Sequence, residues 1–481
     1  MEAANPQPDA QQVASPSLWW DGLERDAVAA PLETDTTADI AIIGGGYTGL
    51  WTAYFLKQIQ PGLDIALVEA KHIGHGASGR NGGWLMGALE GCDAFTDDSG
   101  TLPIEARQQL TQLVSRAGEI FAKEGLDCDF CHGGCVIAAA RHDAQAARAQ
   151  NMLASFRGLG FGEDDYRWLT PTELGDRIHV ANPGGAVFTP HVARIQPAKL
   201  VIGLAWVVKS LGVRVFEHTR AHAIESGVIH CDRGGIRARQ IVIATEGYSE
   251  AGSPLHRRLI PVQTGMVATE PLSDAQWSGL GFANNETFAD CTRAATYLQR
   301  TADNRLVIGA RGHYQPGGVP QHRLGDSPAS GQRREKIALS LFPQLAGVRF
   351  THNWGGSVGV PRGWHPHVIH DAYSGISTAG GYVGEGVGAS FLFGQTLAEL
   401  LTKEDTDRTQ MPWVTRRSLK ELKRWEPEPF PHLGLKATMM AFGAEEWLLE
   451  RYGGGVPAKA VGWLCDQLDP HKPPYKSHKF N

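Results

Sequence analysis

The sequence predicts an α/β chain in which a Rossmann-like, dinucleotide-binding domain is interrupted by a mixed-sheet α+β domain. Three observations predict it. First, the apolar run Asp39-Ile40-Ala41-Ile42-Ile43 feeds straight into Gly44-Gly45-Gly46-Tyr47-Thr48-Gly49. A helical pattern to about Gln60, the Pro61-Gly62 turn and a second run from Asp64 to Glu69 then complete a βαβ unit. Second, a buried run of the same kind returns far along the chain at Ile241-Val242-Ile243-Ala244, with irregular helices and strands between. Third, 481 residues exceed what one hydrophobic core supports, so two lobes are expected.

Taken in order, residues 1–38 read as an arm rich in Pro, Ala, Gln and Asp. The cofactor domain is expected to be discontinuous, over 39–90, 195–260 and 350–403, with the second domain at 91–194 and 261–349. Helices are expected around Ile104 to Lys123, Asp143 to Gly158 and Pro197 to Ser210; proline suits a first helical turn. Val213 to Phe216 reads as a strand, and a β-meander leads from Ala223 through Val228 and Ile236 into the run at Ile241. Residues 404–481 read as a helical appendage, amphipathic around Ala437 to Tyr452, suited to covering the protein's own surface or a subunit contact.

Bulk properties exclude several classes. The net charge of -6 and the lack of a long basic run argue against nucleic acid. No stretch of about 18 apolar residues is present, so a membrane span is not expected. Seven cysteines, an odd number without a framework spacing, fit a reducing compartment, and a cytoplasmic location is expected. Oligomeric state is left open. The 58 glycines have no collagen-like period and suit a backbone that approaches a ligand closely.

A Gly-x-Gly-x-x-Gly run means little alone, but here its context is complete. Gly44 permits the tight turn, Gly46 lets the backbone N–H groups of Gly46, Tyr47 and Thr48 reach a pyrophosphate, and Gly49 allows close helix–strand packing. Glu69 ends the next strand 20 positions after Gly49, placed for the adenosine ribose hydroxyls.

Three further segments resemble the glycine oxidase/D-amino-acid oxidase superfamily, in particular its γ-glutamylputrescine oxidoreductase-like branch. They are Ala70 to Gly83 (with Gly76-Ala77-Ser78-Gly79-Arg80-Asn81-Gly82-Gly83), Ile241 to Gly247, and Gly380-Gly381-Tyr382-Val383-Gly384-Glu385-Gly386-Val387-Gly388. Ser17-Leu18-Trp19 and Thr351-His352-Asn353-Trp354-Gly355-Gly356 add to the resemblance. It implies FAD as cofactor and an FAD-binding domain of the glutathione-reductase type beside a substrate domain. It also implies cofactor contacts at Ala70, Ala77, Ser78, Arg80, Asn81, Gly82, Gly83, Ala221, Ala244, Thr245 and Gly247, and at Gly381, Gly384, Glu385, Gly386, Val387 and Gly388. Arg80-Asn81 stands where some relatives carry an attachment histidine, and 354–388 has no cysteine, so non-covalent binding is expected.

The family implies oxidation of a C–N bond in a small amine or amino acid by hydride transfer to flavin N5, with oxygen or another acceptor. The alternatives are a D-amino-acid or N-methyl-amino-acid dehydrogenase, or a flavin-bearing subunit of a larger complex. Such chemistry needs positioning more than a dedicated base. Tyr297, Trp354 and His365 are the candidate catalytic-face residues, with Trp84 and Trp364 as further aromatic walls for an ammonium group. Arg293 and Arg300, on opposite faces of an expected strand over 293–300, are candidate carboxylate anchors. Cys128, Cys131, His132 and Cys135, and also His365, His367 and His370, have metal-like spacing, but strand patterns account for both groups and no metal is expected.

Overall fold

The computed structural model describes residues 17–24, 29–225, 227–250, 252–294 and 296–469, apart from the side chain of Arg311. The parts of the expected arm and appendage at 1–16 and 470–481, and Ala295, lie outside the described residues.

Two sheets organise the molecule. The strand Thr36–Ile43 lies at the centre of a nine-stranded sheet, parallel to Ile65–Val68 on one side and to Gly234–Ile243 on the other. Ile42 is in register with both Leu67 and Val242. Ile65–Val68 is buried along its whole length, which is why it reads as an unbroken apolar run rather than an alternating one. Arg214–Phe216 extends the sheet at one edge and Ile376–Gly380 continues it beyond Gly234–Ile243, both parallel. The strands Ala221–Glu225 and Val228–Cys231 form the expected meander against Gly234–Ile243.

The helices Tyr47–Ile59 and Gly386–Thr402 run together over this sheet. Gly394 lies so near the Trp51 backbone that an added Cβ would stand 2.7 Å from the Trp51 Cβ, so glycine sets the helix–helix distance.

The second sheet has eight strands. Its long ladder pairs Leu259–Thr269 with Phe350–Pro361, from Leu259 opposite Pro361 to Thr269 opposite Phe350. Residues 350–361, expected in the cofactor domain, therefore belong to this sheet, and the chain re-enters the cofactor sheet at His367–Asp371. From Trp354 onward the strand is largely covered on both faces, so its glycine-rich pattern suits either sheet. The expected strand over 293–300 is shorter, Thr296–Arg300, and the expected helix over 104–123 is two, Ile104–Thr111 and Leu113–Glu124.

The appendage is a hairpin of Phe430–Tyr452 and Val456–Leu468. Arg293 fastens it to the body by pairing with Glu445 and Asp466, each at 2.6 Å, and Arg148 meets Glu445 at 2.9 Å. All seven cysteines are free. Among the described residues no helix is long and apolar enough to cross a membrane, and no group of three or more His, Cys, Asp or Glu side chains is placed to hold a metal.

Candidate functional site

The turn after Thr36–Ile43 is built by what a side chain would strike. Gly44 has φ +116°, and a Cβ there would lie 2.5 Å from the Ala244 carbonyl oxygen of the neighbouring strand. Gly46 has ordinary extended geometry, but a Cβ on it would stand 2.9 Å from Ser78 Oγ, the hydroxyl that accepts from the Tyr47 N–H at 2.9 Å. The Tyr47–Ile59 helix thus opens on a glycine that has no capping side chain, and its positive end faces the space in front of it.

That space is a cleft of about 650 Å³. Of the residues the sequence singled out, Gly44, Gly46, Tyr47, Thr48, Glu69, Ala70, Ala77, Ser78 and Asn81 line it. So do Ala221, Ala244 and Thr245 from the middle of the chain, and Gly384, Gly386 and Val387 from further along it. Glu69 is half-buried, its carboxylate accepting from the Gly45 N–H (2.8 Å) and the Lys71 N–H (2.9 Å); loss of solvent around it raises its pKa. The Gly386–Thr402 helix also starts here without a side-chain cap, and Thr48 and Tyr382 share a hydrogen bond of 2.8 Å that ties the two helix starts together. Two helix N-termini therefore face one cavity, with a carboxylate toward one end. The glycines at the turn leave the approach that a pyrophosphate needs, so the residues present fit an FAD molecule.

The remaining expected contacts lie behind this wall. Gly49, Gly247 and Gly388 sit against the Gly44 carbonyl, the Val358–Gly359 backbone and the Met86 carbonyl respectively. Gly82 packs on the Tyr297 ring and Gly83 on Gln299. Gly381 lies against His367, and Glu385 is the N-cap of the second helix. Arg80 turns away from the cleft, its guanidinium donating to the carbonyls of Gln321, His322 and Arg323, each at 3.0 Å. It clasps the 321–323 segment over the 76–83 run.

Sequence reasoning missed Glu246. Half-buried at the edge of the cleft and at φ +46°, it accepts from the N–H groups of Gly247 and Gly359 at 2.5 Å on one oxygen. The other oxygen takes those of Gly381 (2.9 Å) and Tyr382 (3.2 Å). One carboxylate thus joins the turn after Gly234–Ile243, the Phe350–Pro361 strand and the loop into Gly386–Thr402. Burial raises its pKa while the four donors pull it down. A carboxylate between Thr245 and Gly247 was the available signal.

None of the three candidate catalytic residues lines the cleft. Tyr297 is half-buried, packed on Gly82 and Gly309 with its ring edge-on to Trp84 at 6.0 Å. Trp354 is 0% exposed; its Nε1 donates to the Arg80 carbonyl at 3.0 Å and its ring meets Trp19 edge-on at 5.7 Å. It is a core residue that holds the 80s loop, not an aromatic wall, because its ring is closed in on all sides. His365 lies against Phe95 at 5.3 Å, and Trp364 against Trp425 at 6.5 Å. Neither arginine is a carboxylate anchor: Arg293 holds the hairpin, and Arg300 lies 4.6 Å over Trp277 and pairs with Asn304.

The arm contributes more than the sequence suggested. Leu18–Trp20 is a buried turn whose Trp19 and Trp20 indoles donate to the carbonyls of Asn81 (2.8 Å) and Gly79 (2.9 Å).

His367 is buried with neither ring nitrogen partnered, and burial lowers its pKa to about 3. Below the ordinary value of 6.5 the unfolded chain takes up a proton that the folded chain refuses, so this residue costs stability as pH falls from about 6.5 toward 3. His367→Phe is expected to flatten the acid limb of the Tm-against-pH curve, by up to ~1.4 kcal/mol per pH unit. An acid limb of unchanged slope would refute the assignment.

Comparison with known proteins agrees with this geometry. The family model for FAD dependent oxidoreductases (DAO) matches residues 39–400. Gamma-glutamylputrescine oxidoreductase of Escherichia coli (strain K12) is 29% identical over 392 residues, 79% of this chain and 87% of that protein. The probable oxidoreductase OrdL of Rhizobium meliloti (strain 1021) is 30% identical over 383 residues, 77% of this chain and 84% of that one. The crystal structure of glycine oxidase from Geobacillus kaustophilus superposes with a TM-score of 0.66 at 22% identity, covering 80% of this chain and 99% of that chain.

Proposed function

Because the chain belongs to the DAO family of FAD-dependent oxidoreductases, we propose that it oxidises a C–N bond in an amine or amino acid. The observation that carries this reading is the convergence of two helix N-termini, at Gly46–Thr48 and Gly386–Val387, on one cleft. Names among its relatives, gamma-glutamylputrescine oxidoreductase and glycine oxidase, supply the substrate class.

In this reading the N–H groups of Gly46 and Thr48 at the uncapped helix start would hold the pyrophosphate, and Glu69 would accept from the ribose hydroxyls. The uncapped Gly386 helix end at the cleft would lower the energy of negative charge that a flavin held there gains on reduction. FAD held there would supply the acceptor for a hydride from the substrate α-carbon. Loss of that hydride and of the nitrogen proton leaves an imine, which water converts to a carbonyl compound and a released amine. Trp84 and Tyr297 pack edge-on to one another beside Gly82, outside the lining of the cleft, and in this reading would back the segment on which the neutral amine is oriented.

The test is an anaerobic panel of N-methyl amino acids, D-amino acids, polyamines and their γ-glutamyl forms, read by bleaching of the flavin band. Bleaching by at least one class is expected. A yellow protein that no amine bleaches would overturn the reading. In air, peroxide release marks an oxidase, and dye reduction without peroxide marks a dehydrogenase.

A further inference from the structure

The outward side of the C-terminal hairpin carries a seam that the molecule does not cover. Along Phe430–Tyr452, the residues Phe430, Leu433, Ala437, Met440, Ala444 and Trp447 follow one another at intervals of 3, 4, 3, 4 and 3. That is the spacing of a coiled-coil contact line. The four large ones are 63%, 56%, 66% and 54% exposed, whereas Ala441, Phe442, Glu445 and Leu449 on the opposite side are buried against the protein. Gly434, Gly443 and the two alanines are small enough for another helix to approach closely. The second helix continues the apolar surface with Val456, Trp463 and Leu464, 81%, 65% and 43% exposed.

We propose that this seam is an isologous interface between two copies of the chain. Its extent supports a protein partner of that size: the large apolar side chains on the two helices offer on the order of 800 Å² per copy, what one partner buries in a standard interface. The seam runs ~26 Å along the helix, enough for five contact layers. Outside the described residues, 1–16 and 470–481 carry few large apolar side chains (Met1, Val13, Tyr475 and Phe480), too few to cover it from within the chain. The hairpin lies beyond residues 39–400, the part that matches the family. Its contact is therefore a property of this chain's own extension and does not touch the cleft.

Sedimentation velocity of the FAD-loaded full-length protein tests the proposal. A species of twice 52.0 kDa is expected, which Met440→Glu and Trp447→Glu each convert to a single copy by weakening dimerisation at least ~100-fold, with the flavin spectrum unchanged. Should either glutamate variant fail to fold, Met440→Cys serves. Met440 is the middle of the seam and meets its own copy, so mild oxidation links two chains through it, while the wild type, with no cysteine on the seam, stays unlinked. A single-copy wild type at micromolar concentration, or a dimer indifferent to both glutamates, would overturn the interface. So would flotation with phosphatidylcholine/phosphatidylglycerol vesicles that the same glutamates abolish.

Discussion

Gly46→Val is expected to give a folded protein that purifies colourless and takes up FAD at least ~100-fold more weakly, about 2.8 kcal/mol. The backbone at Gly46 already has a conformation any residue adopts, and the nearest obstacle to a new side chain is the Ser78 hydroxyl at 2.9 Å, not backbone. The fold therefore accommodates the valine. The cleft does not, because the branched side chain projects where a pyrophosphate must approach the N–H groups of the helix start. Gly44→Val is the contrasting case. There φ is +116° and the Ala244 carbonyl lies 2.5 Å from the new Cβ, so the sheet itself has to open, costing upwards of ~3 kcal/mol. Flavin absorbance and apoprotein Tm separate the two: the Gly46 variant loses the first and keeps the second, while the Gly44 variant loses both.

Glu246→Gln is expected to be nearly as damaging as Glu246→Ala, lowering stability by about 3 kcal/mol. Each carboxylate oxygen faces two N–H donors, Gly247 and Gly359 on one and Gly381 and Tyr382 on the other. An amide has one acceptor oxygen, so its NH2 group must point at one donor pair, setting donor against donor where little water can intervene. An ordinary carboxylate contact would tolerate this swap. Since the carboxylate joins the loop into Gly386–Thr402 to both sheets, weaker FAD retention should accompany the lower Tm. A Gln variant as stable as the wild type would show that the four contacts are not cooperative.

The parts of the fold that were legible in the sequence are those written in short stretches. The βαβ unit from Asp39 to Glu69 carries its strands, turn glycines and acidic residue within about thirty positions, and each has a single reading once the others are in place. Glu246 was not legible because three of its four donors come from residues more than a hundred positions away. Trp354 was misread because an indole that walls a cavity and one that fills a core look alike until Trp19 is found against it. The hold of Arg293 on the hairpin was not legible either, its partners lying 152 and 173 positions on. The boundary at 350 was displaced because the pattern of Phe350–Pro361 names no partner, and the ladder with Leu259–Thr269 decides its sheet.

The order of strands in the cofactor sheet also sets a timetable. Thr36–Ile43 finds one neighbour early, in Ile65–Val68, but the other arrives only with Gly234–Ile243, and that strand waits in turn for Ile376–Gly380. On a ribosome adding 5–20 residues per second, these waits total on the order of tens of seconds. Until residue 386 has emerged, the second helix start does not exist. Flavin capture is therefore a late event in the birth of the chain, and the nascent protein meanwhile exposes unpaired apolar strand edges to its surroundings. Ample flavin at the time the last strands emerge should accordingly raise the yield of yellow protein.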